Sequence, residues 1–205
     1  MALAIAAWGI CCTAWAQVVP KPKEFYFEED RNTTRAVVVV PGQGDAVVEK
    51  LAALVQRDPR AVEARVQLAS LAMGGGRREL GDQLYHAALT GLATGSQQYR
   101  TIVWNYGWDL LKQGDAEQAL QQWLQIINGR PATPDWVPQT LALALWRLDR
   151  KSEAVEWYGA AVRTWPDRWA NAANLASAAP TWREEDRNTL AEIATAYASN
   201  PPAWP

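Results

Sequence analysis

Tryptophan is the residue type with the most recognition chemistry to offer in this chain. There are twelve, against two phenylalanines. An indole supplies a large flat apolar area and one N–H donor, which suits capture and stacking more than bond making. Trp104 and Trp108 are four residues apart and therefore share a face of any helix that includes them. Classical reactive sets are sparse. His86 is the one histidine, and Cys11 and Cys12 are the two cysteines, adjacent to each other. That inventory excludes an ordinary Cys/His zinc site, a Cys–His catalytic dyad and a disulfide scaffold. His86, beside Tyr85, reads as a surface or half-buried helix residue.

Three other clusters resemble chemistry and are better read as structure. Glu184-Glu185-Asp186 offers carboxylates for acid–base work, but it also stands where a helix begins, and acidic side chains there complement the helix dipole. Gly74-Gly75-Gly76-Arg77-Arg78 suggests a phosphate cradle, yet no Gly-Lys-Ser/Thr follows, so it reads as a turn between helices. A Gly-x-Ser-x-Gly elbow is absent from the sequence. No cofactor or metal is expected, and the chain reads as non-catalytic.

The elements that must position the tryptophans follow from composition and pattern. The chain has 205 residues, 49% apolar and 20% charged, which is the balance of a folded globular protein. The formal net charge of −2 supplies no basic field for nucleic acid. Residues 1–16, MALAIAAWGICCTAWA, carry no charged side chain and are too short to span a bilayer. They end in Ala14-Trp15-Ala16, the small-x-small pattern of a secretory signal cut after Ala16. A basic n-region is missing, and a retained anchor is the competing reading. Lipid attachment is disfavoured, since neither Cys11 nor Cys12 follows a small aliphatic residue such as Ala or Gly. The expected location is the periplasm or the exterior, where a cysteine-free remainder folds without oxidation.

Residues 17–44 form a polar, extended neck. Pro20-Lys21-Pro22-Lys23 favours polyproline II. Glu24-Phe25-Tyr26-Phe27 and Ala36-Val37-Val38-Val39-Val40 are β-prone runs around Asn32-Thr33-Thr34. They predict a hairpin that docks on the body, or a strand that pairs with another chain.

Residues 45–205 carry a helical repeat. A shift of about 35 residues moves Leu110 to Leu145, Ala119 to Ala154, Trp123 to Tyr158, Ile126 to Ala161 and Pro131 to Pro166. A further shift reaches Ala196 and Pro201, while Leu68, Ala69, Ala72, Gly76, Tyr85 and Ala88 fill comparable upstream slots. Asp115 with Gln118 predicts a helix cap, and Asp58-Pro59 predicts another. Ala116, Ala119, Leu120, Trp123, Leu124 and Ile127 make a helical stripe, ended by Asn128-Gly129. This pattern resembles the tetratricopeptide repeat family, with units near 62–95, 100–134, 135–168 and 169–203. The resemblance implies an all-α solenoid of about four helix pairs behind an extended N-terminal segment.

In that family the first helix of each pair lines a concave groove. The resemblance therefore places Trp104, Trp108, Trp136, Gln139, Leu143 and Trp146 in a groove, with Trp123 in the core and Trp157 and Trp165 between repeats. The family's charged clamp for a terminal carboxylate has no counterpart at Trp104, Trp108, Gln139 and Leu143. The implied function is a scaffold or adaptor that binds a protein or peptide of the cell envelope. A glycan-binding envelope protein is the alternative, and a pilotin-like assembly factor a third. Fold and period do not name the partner or the oligomeric state.

Overall fold

A computed structural model describes residues 18–23, 25–128 and 133–203. The expected signal segment, residues 1–16, lies outside the described residues. Within them the chain is helical, with no strands, and no helix is long and apolar enough to cross a membrane. The elements are α1 (Asp45–Arg57), α2 (Val62–Gly74), α3 (Arg78–Leu89), α4 (Gln97–Lys112), α5 (Ala116–Ile127), α6 (Val137–Arg147), α7 (Lys151–Thr164), α8 (Pro166–Trp169), α9 (Leu175–Ala178) and α10 (Glu184–Ser199).

Helices pack in adjacent pairs, α2 with α3, α4 with α5 and α6 with α7. The same turn closes each pair. The amide of Arg77 bonds to Ala72, that of Asp115 to Leu110, and that of Arg150 to Leu145, all at 2.8–3.0 Å between N and O. The preceding residue is left-handed in each: Gly76 (φ 74°), Gly114 (φ 84°) and Asp149 (φ 58°). This is a Schellman-type stop, which pairs carbonyls that the helix end leaves orphaned. The Gly74–Arg78 cluster is accordingly a helix-to-helix turn. Asp115 caps α5 by accepting from the Gln118 amide at 3.0 Å. Asp58 accepts from the Arg60 amide, but α2 starts only at Val62, so Asp58-Pro59 makes a turn and not the predicted cap.

The expected fourth pair is incomplete. Residues 166–178 break into α8, a 3-10 turn at Ala172–Asn174 and α9. Asn171 diverts its side chain to the Ala173 amide and Asn174 to the Asp167 carbonyl, local bonds that compete with a continuous helix. Helix α10 then packs on both α6 and α7.

The predicted hairpin does not form. Residues 30–34 turn, with the Thr33 and Thr34 amides on the Asp30 carbonyl, but the flanking runs separate. Glu28 pairs instead with the loop before α6: its amide donates to Thr133 and its carbonyl accepts from Asp135. Val39 and Val40 reach α2. The neck thus runs from α7, where Lys21 meets Glu156 and Tyr26 packs on Trp157, across α4 to α2.

Four buried phenols anchor this arrangement. Tyr26, Tyr85, Tyr106 and Tyr158 are almost fully enclosed. Tyr85 donates to Asp109 at 2.6 Å, Tyr106 to Asp82 at 2.8 Å and Tyr158 to the Trp169 carbonyl at 2.6 Å. Burial pushes the Tyr26 phenol up to about 12 from its ordinary value of 10.0. Burial also raises the other three. A raised folded-state value means that their contribution is intact below the unfolded value and is lost as pH rises through the folded one. Thermal stability is therefore expected to hold up to about pH 10 and fall steeply above it. In a 295 nm titration these phenols should ionise together with unfolding. Gradual ionisation of all tyrosines near pH 10 in the folded protein would contradict the enclosed core.

Candidate functional site

A cleft of about 440 Å³ lies between the neck and the start of α10, floored by α2 and α4. Helix α4 supplies Trp104, Asn105, Trp108, Asp109 and Lys112, which the helical period puts on one face. Ser96 caps that helix by accepting from the Tyr99 amide. Helix α2 supplies Gln67 and Ser70, the neck Ala36, Val37 and Val38, and the approach to α10 Trp182 and Arg183.

The indoles form a chain. Trp108 meets Trp104 at 6.0 Å, Trp123 at 5.3 Å and Trp182 at 4.7 Å between ring centroids, each near edge-to-face. Trp123 donates to the Trp104 carbonyl at 3.3 Å. The indole N–H groups of Trp104 and Trp108 are enclosed and have no hydrogen-bond partner among the described residues. A buried donor without an acceptor costs roughly 1–3 kcal/mol.

Charges in the cleft are internally balanced. Asp109, 5% exposed, accepts from Tyr85 and from Lys112 at 3.0 Å. Asp186, 1% exposed, is held by Arg183 at 2.9 Å and by Arg147. Burial, and next the Asp109 charge, keep the Tyr85 phenol protonated. The surface left to a ligand is aromatic and amide-rich.

The inner face already holds peptide backbone, that of the chain itself, at its turns and bends. Thr101 donates to the Asn32 carbonyl at 2.8 Å and Asn105 to the Arg35 carbonyl at 2.9 Å. The Gln67 amide accepts from Val39 and Val40 at 2.7 and 2.9 Å and donates back to the Val40 carbonyl at 2.7 Å. Gln67 thus holds two successive amides and a carbonyl where the neck bends at Val39–Val40.

The six residues expected in one groove are dispersed. Trp104 and Trp108 do line the cleft. Trp136 lies beneath the neck, its N–H donating to Asp30 at 3.4 Å, and Gln139 beside it donates to the Asp135 carbonyl. Leu143 is 0% exposed. Trp146 is half-buried beside α10, bonded to Glu192 at 3.0 Å with the Lys151 ammonium 3.8 Å over its ring. The correction has one cause: α6 is covered by α5, α7 and α10 and by the neck, so no side of it stays open. His86 is exposed on α3, edge-on to Tyr106, and Glu184–Asp186 open α10. Among the described residues no group of three His, Cys, Asp or Glu could hold a metal ion.

Sequence reasoning missed Gln67, Asn105, Asp109, Lys112 and Trp182. Asn105, Asp109 and Lys112 were within reach of it, because they continue the Trp104/Trp108 face at helical spacing. Gln67 and Trp182 carry no local signal, since distant segments bring them to the cleft. Comparison with family models, curated proteins and solved structures finds no match.

Proposed function

We propose that this chain is a non-catalytic scaffold of the tetratricopeptide-like solenoid type that captures an extended segment of a partner protein in the cleft beside Trp104 and Trp108. Export to the cell envelope, with residues 1–16 removed, is part of this reading. One observation carries it: side chains of α2 and α4 hold the neck by its backbone atoms, so this face has the chemistry to bind peptide backbone irrespective of side-chain identity. The glycan alternative is less well supported. Trp108 is 8% exposed and ringed by three other indoles, which leaves no open face for a sugar to stack on.

The test is tryptophan fluorescence titrated with displayed-library peptides and, in parallel, with envelope oligosaccharides. Peptides should shift the emission saturably. Trp104→Ala should weaken binding by about tenfold or more, the loss typical of an aromatic anchor, with the melting temperature within a few degrees. Emission that responds only to sugars, or to neither, would end the peptide reading.

A further inference from the structure

We propose that the exposed edge of the neck at Ala36–Val39 is a strand template, against which the partner's segment pairs backbone to backbone inside the cleft. This rests on the reading that the cleft holds an extended protein segment, and it names the contact that holds it.

Between bends at Thr34–Arg35 and Val39–Val40 the neck is apolar and β-branched, a composition that resists helix and favours strand. Its backbone is nevertheless unpaired. The N–H and C=O groups of Ala36, Val37 and Val38, and the Val39 carbonyl, make no hydrogen bond among the described residues. On either side the chain is pinned: Asn105 holds the Arg35 carbonyl, and Gln67 holds the Val39 and Val40 amides. A short β-prone stretch, fixed at both ends with free backbone donors and acceptors between, offers what strand addition requires. Pinning also removes part of the ordering cost of binding.

The same residues border the cleft. Ala36, Val37 and Val38 form one wall, and Val38 is 63% exposed. Trp104, Trp108 and Trp182 lie across the cavity. A strand entering between the walls would pair with the neck along one edge and lay its side chains against the indoles. Its chemistry follows from the charge balance: Asp109 with Lys112, and Glu185 and Asp186 with Arg183 and Arg147, leave no net charge to satisfy. The occupant is therefore an uncharged, β-prone segment of a partner protein.

The probe is acetyl-(Thr-Val)3-amide, with an analogue N-methylated at alternate residues to block one pairing edge. Amide hydrogen exchange is read by NMR at Ala36, Val37 and Val38, and affinity by tryptophan fluorescence. The peptide should slow exchange at one or more of these amides by about tenfold or more, and N-methylation should weaken binding about tenfold, as expected for losing one or two backbone bonds. Val38→Pro, which deletes one amide, should weaken binding similarly with an unchanged melting temperature. If peptide binds and is sensitive to Trp104→Ala, while exchange is unaltered and the N-methylated analogue binds equally well, strand pairing is wrong and the cleft reading stands. If neither this peptide nor any library peptide binds, both fall. Self-association through this edge without peptide, seen by analytical ultracentrifugation and abolished by Val38→Pro, would overturn the separate partner in favour of a second copy.

Discussion

Trp123→Ala is expected to lower the unfolding free energy by about 3–5 kcal/mol, read by urea denaturation. The ring is 0% exposed, packs on Trp108 and donates to the Trp104 carbonyl, so truncation leaves a cavity and removes a hydrogen bond between α4 and α5. Its seat depends on Gly107. A Cβ added there would lie 2.6 Å from Cε2 of the Trp123 ring, and neither helix can yield easily. Gly107→Ala alone should therefore destabilise by about 1–3 kcal/mol through overpacking. In the Trp123→Ala background the sign should reverse, because the clash is gone and alanine is the better helix former by about 1 kcal/mol. Additive losses in the double variant would refute this lock between α4 and α5.

Asp186→Ala is the second large loss, about 2–4 kcal/mol. The carboxylate accepts from Arg183 and Arg147, and Arg147 also donates to the Leu111 carbonyl at 3.3 Å. One guanidinium therefore ties the end of α4 and the end of α6 to α10. The expected loss stays below the full buried-pair figure because both arginines keep some access to water. Asp186→Asn should fall between the two. Replacing Asp186 and Arg147 together with leucine and methionine should recover much of the loss, since Arg147 is no longer stranded and Arg183 keeps Glu185 at 2.5 Å. A single-variant loss under about 0.5 kcal/mol would show that α10 is held by apolar contact alone.

The helix pairs were legible because their signals are local. Leu110 and Leu145 sit at the same point of two hairpin turns, and Gly114 and Asp149 take the same left-handed residue. Asp115 caps where its side chain and Gln118 foretold. What escaped reading is governed by distant segments. Helix α2 carries apolar residues on most sides, because α3 covers one and the neck another, so no single stripe marks its core face. Helix α6 has nine consecutive buried residues from Val137 to Leu145, and periodicity cannot separate such a helix from one with an open groove. Gln139 and Leu143 were misplaced for that reason. The two β-prone runs of the neck suggested a hairpin, but the groups that hold this segment, the Thr133–Asp135 loop and Gln67, are remote in sequence.

The path of the neck bears on how the chain reaches its native state. Residues 18–40 meet α7 first and α2 last, so their contacts span up to 135 positions, as between Lys21 and Glu156. Helical hairpins close over short loops and form early, while contacts of such long reach raise the contact order and come late. A segment that precedes the helices in the chain is thus the last to settle, and it closes over helices already assembled.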